Sequence, residues 1–246
     1  MLQNKVVVVT GASGGLGAAL VRRFVDEGAM VAGIARSKES LDALAESIES
    51  DRFSSYVADV SNIDQIDKAV SEIIERYQKI DFLFNNAAVY PKINFLEESP
   101  QDWLDAINVN LGGISNCTKA VLPVMLESGF GRIYNLGSFA DINPIANSAA
   151  YSCSKGGVHA LTKAIAADIA ELNADVEIHE WIPGHLNTQM SDYTGIDPDI
   201  SAGWAVEIAT GKIKASKNNT IFENNREWQP PQRLKQRIKN KLMFWK

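Results

Sequence analysis

Four consecutive valines, Val6 to Val9, run into Thr10-Gly11-Ala12-Ser13-Gly14-Gly15-Leu16-Gly17 and then into Ala18-Ala19-Leu20-Val21-Arg22-Arg23-Phe24. An unbroken β-branched run predicts a strand buried on both faces, the environment of a parallel sheet. The glycines permit a tight turn, and the segment after them has helical character. Strand, glycine turn and helix in that order make a cradle for a pyrophosphate, which rests on the N–H groups and the positive end of the helix. A glycine-rich turn alone is an ordinary loop; the strand before it and the helix after it give the dinucleotide reading.

The rest of the chain repeats the alternation. Strands are expected near Val6–Val9, Met30–Ile34, Phe53–Ala58, Phe82–Asn85, Arg132–Leu136, Val176–Ile182 and Thr220–Phe222. Helices are expected near Leu16–Glu27, Lys38–Ser50, Ile63–Tyr77, Trp103–Glu127 and Tyr151–Asn173. Such alternation specifies an α/β fold, a doubly wound parallel sheet with helices on both faces. Right-handed crossovers then bring the carboxyl ends of the strands to one edge, where ligands bind. Thr10, Arg36, Asp59, Asn85, Ser138 and Pro183 all follow strand ends. A length of 246 residues suits one such domain. Cys117 and Cys153, in unrelated segments, suggest neither a disulfide framework nor a metal cluster, so no metal ligands are expected. No apolar run reaches the ~18 residues of a membrane span, and the start leaves no room for a signal peptide, so a cytoplasmic enzyme is expected.

Tyr151 and Lys155 stand four apart, with Ser138 thirteen residues before the tyrosine. On a helix, i and i+4 share a face, so the ammonium can approach the phenol and favour its ionised form. A phenol whose pKa is brought towards neutrality becomes usable as a general acid or base. The trio suits carbonyl/alcohol redox chemistry.

From Lys5 to Thr188 these motifs, taken together, resemble the short-chain dehydrogenase/reductase family, a single-domain Rossmann fold. The resemblance implies that the turn residues Gly11, Ser13, Gly15, Leu16 and Gly17 bind a nicotinamide cofactor. It implies that Asp59 and Val60 sit by the adenine, and that Asn85-Asn86-Ala87-Ala88, with alanine replacing the family's final glycine, supplies Asn86 and Ala87. Pro183, Gly184 and Thr188 match the segment that meets the nicotinamide carboxamide. Ser138, Tyr151 and Lys155 match the catalytic serine, tyrosine and lysine. Asn110 matches the asparagine that holds a water for a proton relay. Tyr151 and Lys155 are also expected against the cofactor, with Lys155 bonding the nicotinamide ribose and lowering the Tyr151 pKa.

Cofactor choice turns on the end of the second strand. An acidic residue there would accept from a ribose 2′-OH, whereas a guanidinium pairs with a 2′-phosphate. Arg36 and Ser37 favour NADP(H), with NAD(H) left open because Gly14 replaces a second cation common in NADP-preferring relatives. The expected reaction is hydride transfer between NADP(H) and a ketone or secondary alcohol. Tyr90, Asp141, Ile142, Asn143, Pro144, His185 and residues 189–204 are substrate-pocket candidates, and their polar members suit a sugar-like ketone. His179 and Glu180 read as strand-end residues rather than catalysts. A sugar-nucleotide epimerase or dehydratase using the same Tyr-Lys pair, and a redox-inactive cofactor-sensing scaffold, are the alternatives. A homodimer or homotetramer is expected.

Charge is segregated. Residues 211–246 hold ten Lys/Arg against Glu223 and Glu227, a charge of +8, leaving −14 for the first 210. The acidic body and absence of a reader motif argue against nucleic acid. The catalytic domain is placed at 1–210 and a divergent extension at 211–246. After Pro230-Pro231, residues 233–246 form a basic amphipathic pattern, with Leu234, Ile238, Leu242 and Trp245 on one stripe. That pattern suits either peripheral membrane contact or packing on its own domain or a twin subunit.

Overall fold

In the computed structural model, which describes residues 2–229, the valine run forms β1 (Val6–Thr10), buried over its whole length. Successive strand side chains alternate between faces. Val7 and Val9 therefore enter one apolar core and Val8 another. This explains the unbroken apolar run, since neither side of the strand meets water.

The other strands are β2 (Met30–Ala35), β3 (Phe53–Val57), β4 (Phe82–Asn85), β5 (Phe130–Leu136), β6 (Asp175–Ile182), β7 (Ile221–Glu223) and β8 (Arg226–Glu227). They form a single sheet in the order β3-β2-β1-β4-β5-β6-β7-β8. Every pairing is parallel except the last. The strand order reverses direction between β1 and β4, so a crevice opens at their carboxyl ends. The helices are α1 (Gly15–Asp26), α2 (Lys38–Ile48), α3 (Ile63–Tyr77), α4 (Pro100–Ile107), α5 (Gly113–Ser128), α6 (Ala149–Ile169) and α7 (Pro198–Ala209). Residues of α1, α2 and α7 share the core with Val7 and Val9, while residues of α3, α5 and α6 share the one with Val8. The expected doubly wound α/β fold is the observed one.

Two departures from the sequence reading have local causes. The helix expected over Trp103–Glu127 is broken by a π turn at Asn108–Gly112 between α4 and α5. A π turn admits an extra residue. Here it turns fully buried Asn110 inward, where its amide binds the Val89 backbone and the Ser154 hydroxyl. The second departure is α7, in a stretch expected only to line the substrate pocket. It starts on an Asp197 side chain that accepts from the Asp199 N–H, with Pro198 in its first turn, a favourable helix start.

Beyond residue 210 the chain continues into the sheet. β7 lies parallel to β6, and the indole N–H of fully buried Trp181 donates to the Asn224 carbonyl at 2.9 Å. The basic amphipathic segment 233–246 lies outside the described residues.

Candidate active site

The glycine turn between β1 and α1 is held where side chains do not fit. Gly11 and Gly15 have φ of +64° and +51°, a region glycine enters without a Cβ penalty. A Cβ on Gly17 would collide with the Gly11 carbonyl oxygen. Gly14 caps α1 without supplying a side-chain acceptor, and the first turn carries no acidic residue, so that end is left to a negatively charged ligand. Thr188 closes over the turn, its methyl lying 3.2 Å from where a Gly15 Cβ would stand. Asn86 ties the turn to β4, donating to the Thr10 carbonyl at 2.9 Å, while the Thr10 hydroxyl accepts from the Asn86 and Ala87 N–H groups at 3.0 Å.

A cleft of about 510 Å³ begins here, lined by Gly11 and Ser13, by Arg36, Ser37, Asp59 and Val60 at one end, and by Ala87, Val89 and Val109 at the other. Two-thirds of the Arg36 side chain is exposed, and its guanidinium lies 3.9 Å from the Asp59 carboxylate. Ser37 is engaged as the cap of α2, its hydroxyl accepting from the Ser40 N–H at 3.1 Å. Uncapped helix N–H groups, glycines that admit no side chain and an elongated cleft ending at a cation are what a nicotinamide dinucleotide requires. The residues present fit that cofactor.

Beyond Val89, where the residue next to the cleft wall, Tyr90, stacks on Tyr151, the three chemical residues converge. Ser138 follows β5, and Tyr151 and Lys155 lie in the first turns of α6. The Lys155 ammonium, 3% exposed, donates to the Leu136 carbonyl at 2.7 Å and stands 5.6 Å from the centre of the Tyr151 ring. Burial pushes the lysine down to about 8, opposed by the negative charge of Glu180. The Tyr151 phenol is pushed above its ordinary value by burial, which outweighs the lowering effect of the Ser138 hydroxyl. The sequence reading has Lys155 lowering that pKa. In this geometry the ammonium is spent on Leu136 rather than on the phenol, and desolvation wins.

Asn110 lies on the same side of the sheet. Both its amide protons are used, on the Val89 carbonyl and the Ser154 hydroxyl, and its oxygen accepts from the Val89 N–H. It braces the segment that carries Tyr90, whose ring stacks on that of Tyr151 at 4.7 Å and 23°. Lys92, two residues on, forms a 2.6 Å ion pair with Asp192 and so joins this segment to the one after β6. In that second segment Pro183 accepts from the Ser201 hydroxyl, Gly184 has φ +92°, and His185 Nε2 lies 2.8 Å from the Thr194 hydroxyl. Ile142, Asn143 and Pro144 are exposed, and Asp141 is partly buried.

Sequence reasoning passed over one pair. Glu180 is buried, and its carboxylate lies 2.7 Å from His159 Nδ1. An acidic residue within the Ile178–Ile182 run, followed by Trp181 and Ile182, was the signal, because a buried carboxylate needs a partner.

A family model described as short chain dehydrogenase matches residues 5–198. A 3-oxoacyl-(acyl-carrier-protein) reductase of Thermotoga maritima is 35% identical over 193 residues, 78% of either chain. A meso-2,3-butanediol dehydrogenase of Serratia marcescens is 35% identical over 205 residues, 83% of this chain and 76% of that one. Among solved structures, a metagenomic short-chain oxidoreductase in complex with NADP superposes with a TM-score of 0.77 at 30% identity, covering 90% of this chain and 98% of that one. Levodione reductase shares the fold with a TM-score of 0.83 at 24% identity, covering 92% and 98%.

Proposed function

This chain belongs to the short-chain dehydrogenase family, and from that premise we propose how its residues perform the family's reaction and on what. The protein is an NAD(P)-dependent oxidoreductase that interconverts ketones and secondary alcohols. The observation that carries the residue assignment is the convergence of Ser138, Tyr151 and Lys155, with the Ser138 hydroxyl on the Tyr151 phenol and the Lys155 ammonium beside its ring. The nicotinamide supplies or accepts the hydride.

Tyr151 is the general acid of reduction, giving its phenolic proton to the carbonyl oxygen. Its raised pKa keeps the proton in place through neutral pH, which favours reduction there and makes alcohol oxidation rise with pH. Ser138 donates to the same oxygen as charge develops on it, the kind of preorganised contact that lowers a barrier. Lys155, fixed by Leu136, supplies positive charge behind the phenol and bonds the nicotinamide ribose. Asn110 holds the Tyr90 segment, and because its side chain is committed, any water for a proton relay is held by its backbone carbonyl in the π turn.

The phosphates rest on the α1 amino end across Gly11, Ser13, Gly15, Leu16 and Gly17. Asp59 and Val60 flank the adenine, Asn86 and Ala87 line the middle, and Pro183, Gly184 and Thr188 cover the nicotinamide end. NADP(H) is the preferred cofactor, supported by exposed Arg36 at the adenosine end, where a bidentate cation meets a 2′-phosphate. The substrate is a small sugar-like hydroxyketone. Tyr90 stacked on Tyr151 narrows the space beside the acid, and the relatives' names describe compounds with two oxygen functions close together. Among the described residues no helix is long and apolar enough to cross a membrane; a cytoplasmic homo-oligomer is the setting we infer.

The test is a nicotinamide-fluorescence assay against ketones, hydroxyketones, sugars and nucleotide-sugars with both cofactors. The reading expects NADPH-linked reduction of a hydroxyketone. A clear preference for NADH would refute the cofactor assignment, and turnover confined to nucleotide-sugars without net redox change would favour an epimerase.

A further inference from the structure

Lys155 and His159 lie one helical turn apart on α6 and face the same way. Facing them is Glu180, third from the end of β6 and opposite Asn135 of β5. One of its carboxylate oxygens binds His159 Nδ1 at 2.7 Å, and the other fills the space a side chain on Gly137 would need. The preceding residue, Leu136, holds the Lys155 ammonium on its carbonyl. The following residue is Ser138. Ammonium and carboxylate thus flank a single stretch of backbone, Leu136-Gly137-Ser138, that carries one member of the site and anchors another.

We propose that Glu180, clamped by His159, is a positioning residue that keeps Lys155 in its ammonium form from behind the strand end. A carboxylate buried in a sheet is costly unless its charge is compensated, and an apolar residue would pack more easily here. Lys155 is 3% exposed and forms no ion pair among the described residues; with its ammonium on the Leu136 carbonyl and a Glu180 oxygen against the adjoining Gly137, Glu180 is the acid whose charge acts on it through this backbone. His159, whose side chain is 30% exposed, connects the buried carboxylate to solvent. Burial pushes the Glu180 carboxyl above its ordinary value and Asp141, from the turn after β5, adds to this, while His159 and Lys155 from α6 oppose it and favour the ionised form that the clamp requires. Burial alone drives Lys155 towards neutrality and Glu180 resists this. The alkaline edge of reduction, where Lys155 loses its proton, is therefore set in part by a residue that touches neither cofactor nor substrate.

The inference rests on the role given to Lys155 above, so its test includes a readout independent of turnover. Glu180→Gln preserves shape and an acceptor for His159 while removing the charge. In the cofactor-free protein, the Lys155 Cε resonance followed by NMR should titrate lower by roughly half to one pH unit, and the alkaline limb of kcat/KM for reduction should move down with it. Glu180→Asp should restore part of the shift. His159→Gln, which leaves the carboxylate without its clamp, should shift Lys155 in the same direction by less, and this variant decides the matter if Glu180→Gln does not fold. An unchanged Lys155 titration overturns the inference. A shifted titration with an unchanged pH–rate profile would uphold the electrostatic link and refute instead the role of Lys155 in turnover.

Discussion

The two ends of the cleft are built by different means. At the nucleotide end, shape comes from backbone: Gly11 and Gly15 in left-handed conformation, Gly17 without room for a Cβ, and uncapped N–H groups at the start of α1. At the catalytic end, shape comes from side chains buried against one another, with Asn110 on Val89, Lys155 on Leu136, and Glu180 between His159 and Gly137. Its outer wall is made of loops in which Lys92, Asp192 and Tyr193 all have positive φ. Backbone geometry fixes a ligand common to a whole family, and side chains on loops are free to fix the substrate of one member.

The contrast is sharpest at Gly17. Gly17→Ala forces a methyl onto the Gly11 carbonyl, and the helix and turn cannot both stay in place. A loss of roughly 3 kcal/mol or more in stability is expected, together with cofactor binding, read by thermal unfolding with and without NADPH. Normal cofactor affinity would show that the turn is not set by backbone after all.

A buried side chain at the other end should do the reverse. Lys155 carries a penalty for being charged below its folded pKa of about 8, where the unfolded chain is protonated at no cost. Lys155→Met should therefore stabilise the fold by up to about 3 kcal/mol at pH 7 while removing turnover. Because the penalty fades as pH rises from about 8 through the usual lysine range, so should the gain. Denaturant melts of both proteins at pH 7 and pH 10 check the sign; a destabilised variant at pH 7 would mean that the Leu136 hydrogen bond outweighs desolvation.

At the adenosine end, Arg36→Asp places a carboxylate beside Asp59 and where the 2′-phosphate is expected. NADPH binding should weaken by roughly 1.5–3 kcal/mol, with NADH little changed, by fluorescence titration. The smallest effect is expected on the outer wall. Lys92→Ala breaks an ion pair whose acid is largely exposed, worth under about 1 kcal/mol in stability. It should raise KM for the ketone more than it lowers kcat, since it loosens the loops without touching the acid.

The same contrast decides what could be read in the sequence. Val6–Val9, the glycine spacing and the Tyr151–Lys155 interval are local patterns, and local patterns pointed to the sheet, the turn and the candidate trio Ser138, Tyr151 and Lys155 that the fold brings together. The π turn at Asn110 was not legible, because it arises from contacts with Val89 and Ser154, distant in sequence. The Glu180–His159 pair was not legible for the same reason: its members stand 21 positions apart. The direction of the Tyr151 shift depends on where the Lys155 ammonium points, which i,i+4 spacing leaves open. α7 escaped notice because it is apolar nearly all round, with no polar face to mark its period.

The central claim, that Tyr151 gives the proton while the rest of the cleft holds the cofactor, is tested by Tyr151→Phe. Only the transferable proton and its oxygen are lost, so NADPH binding followed by nicotinamide fluorescence should stay within a few fold while reduction falls by orders of magnitude at every pH. Substantial reduction by the phenylalanine variant, with binding intact, would contradict the assignment of the acid.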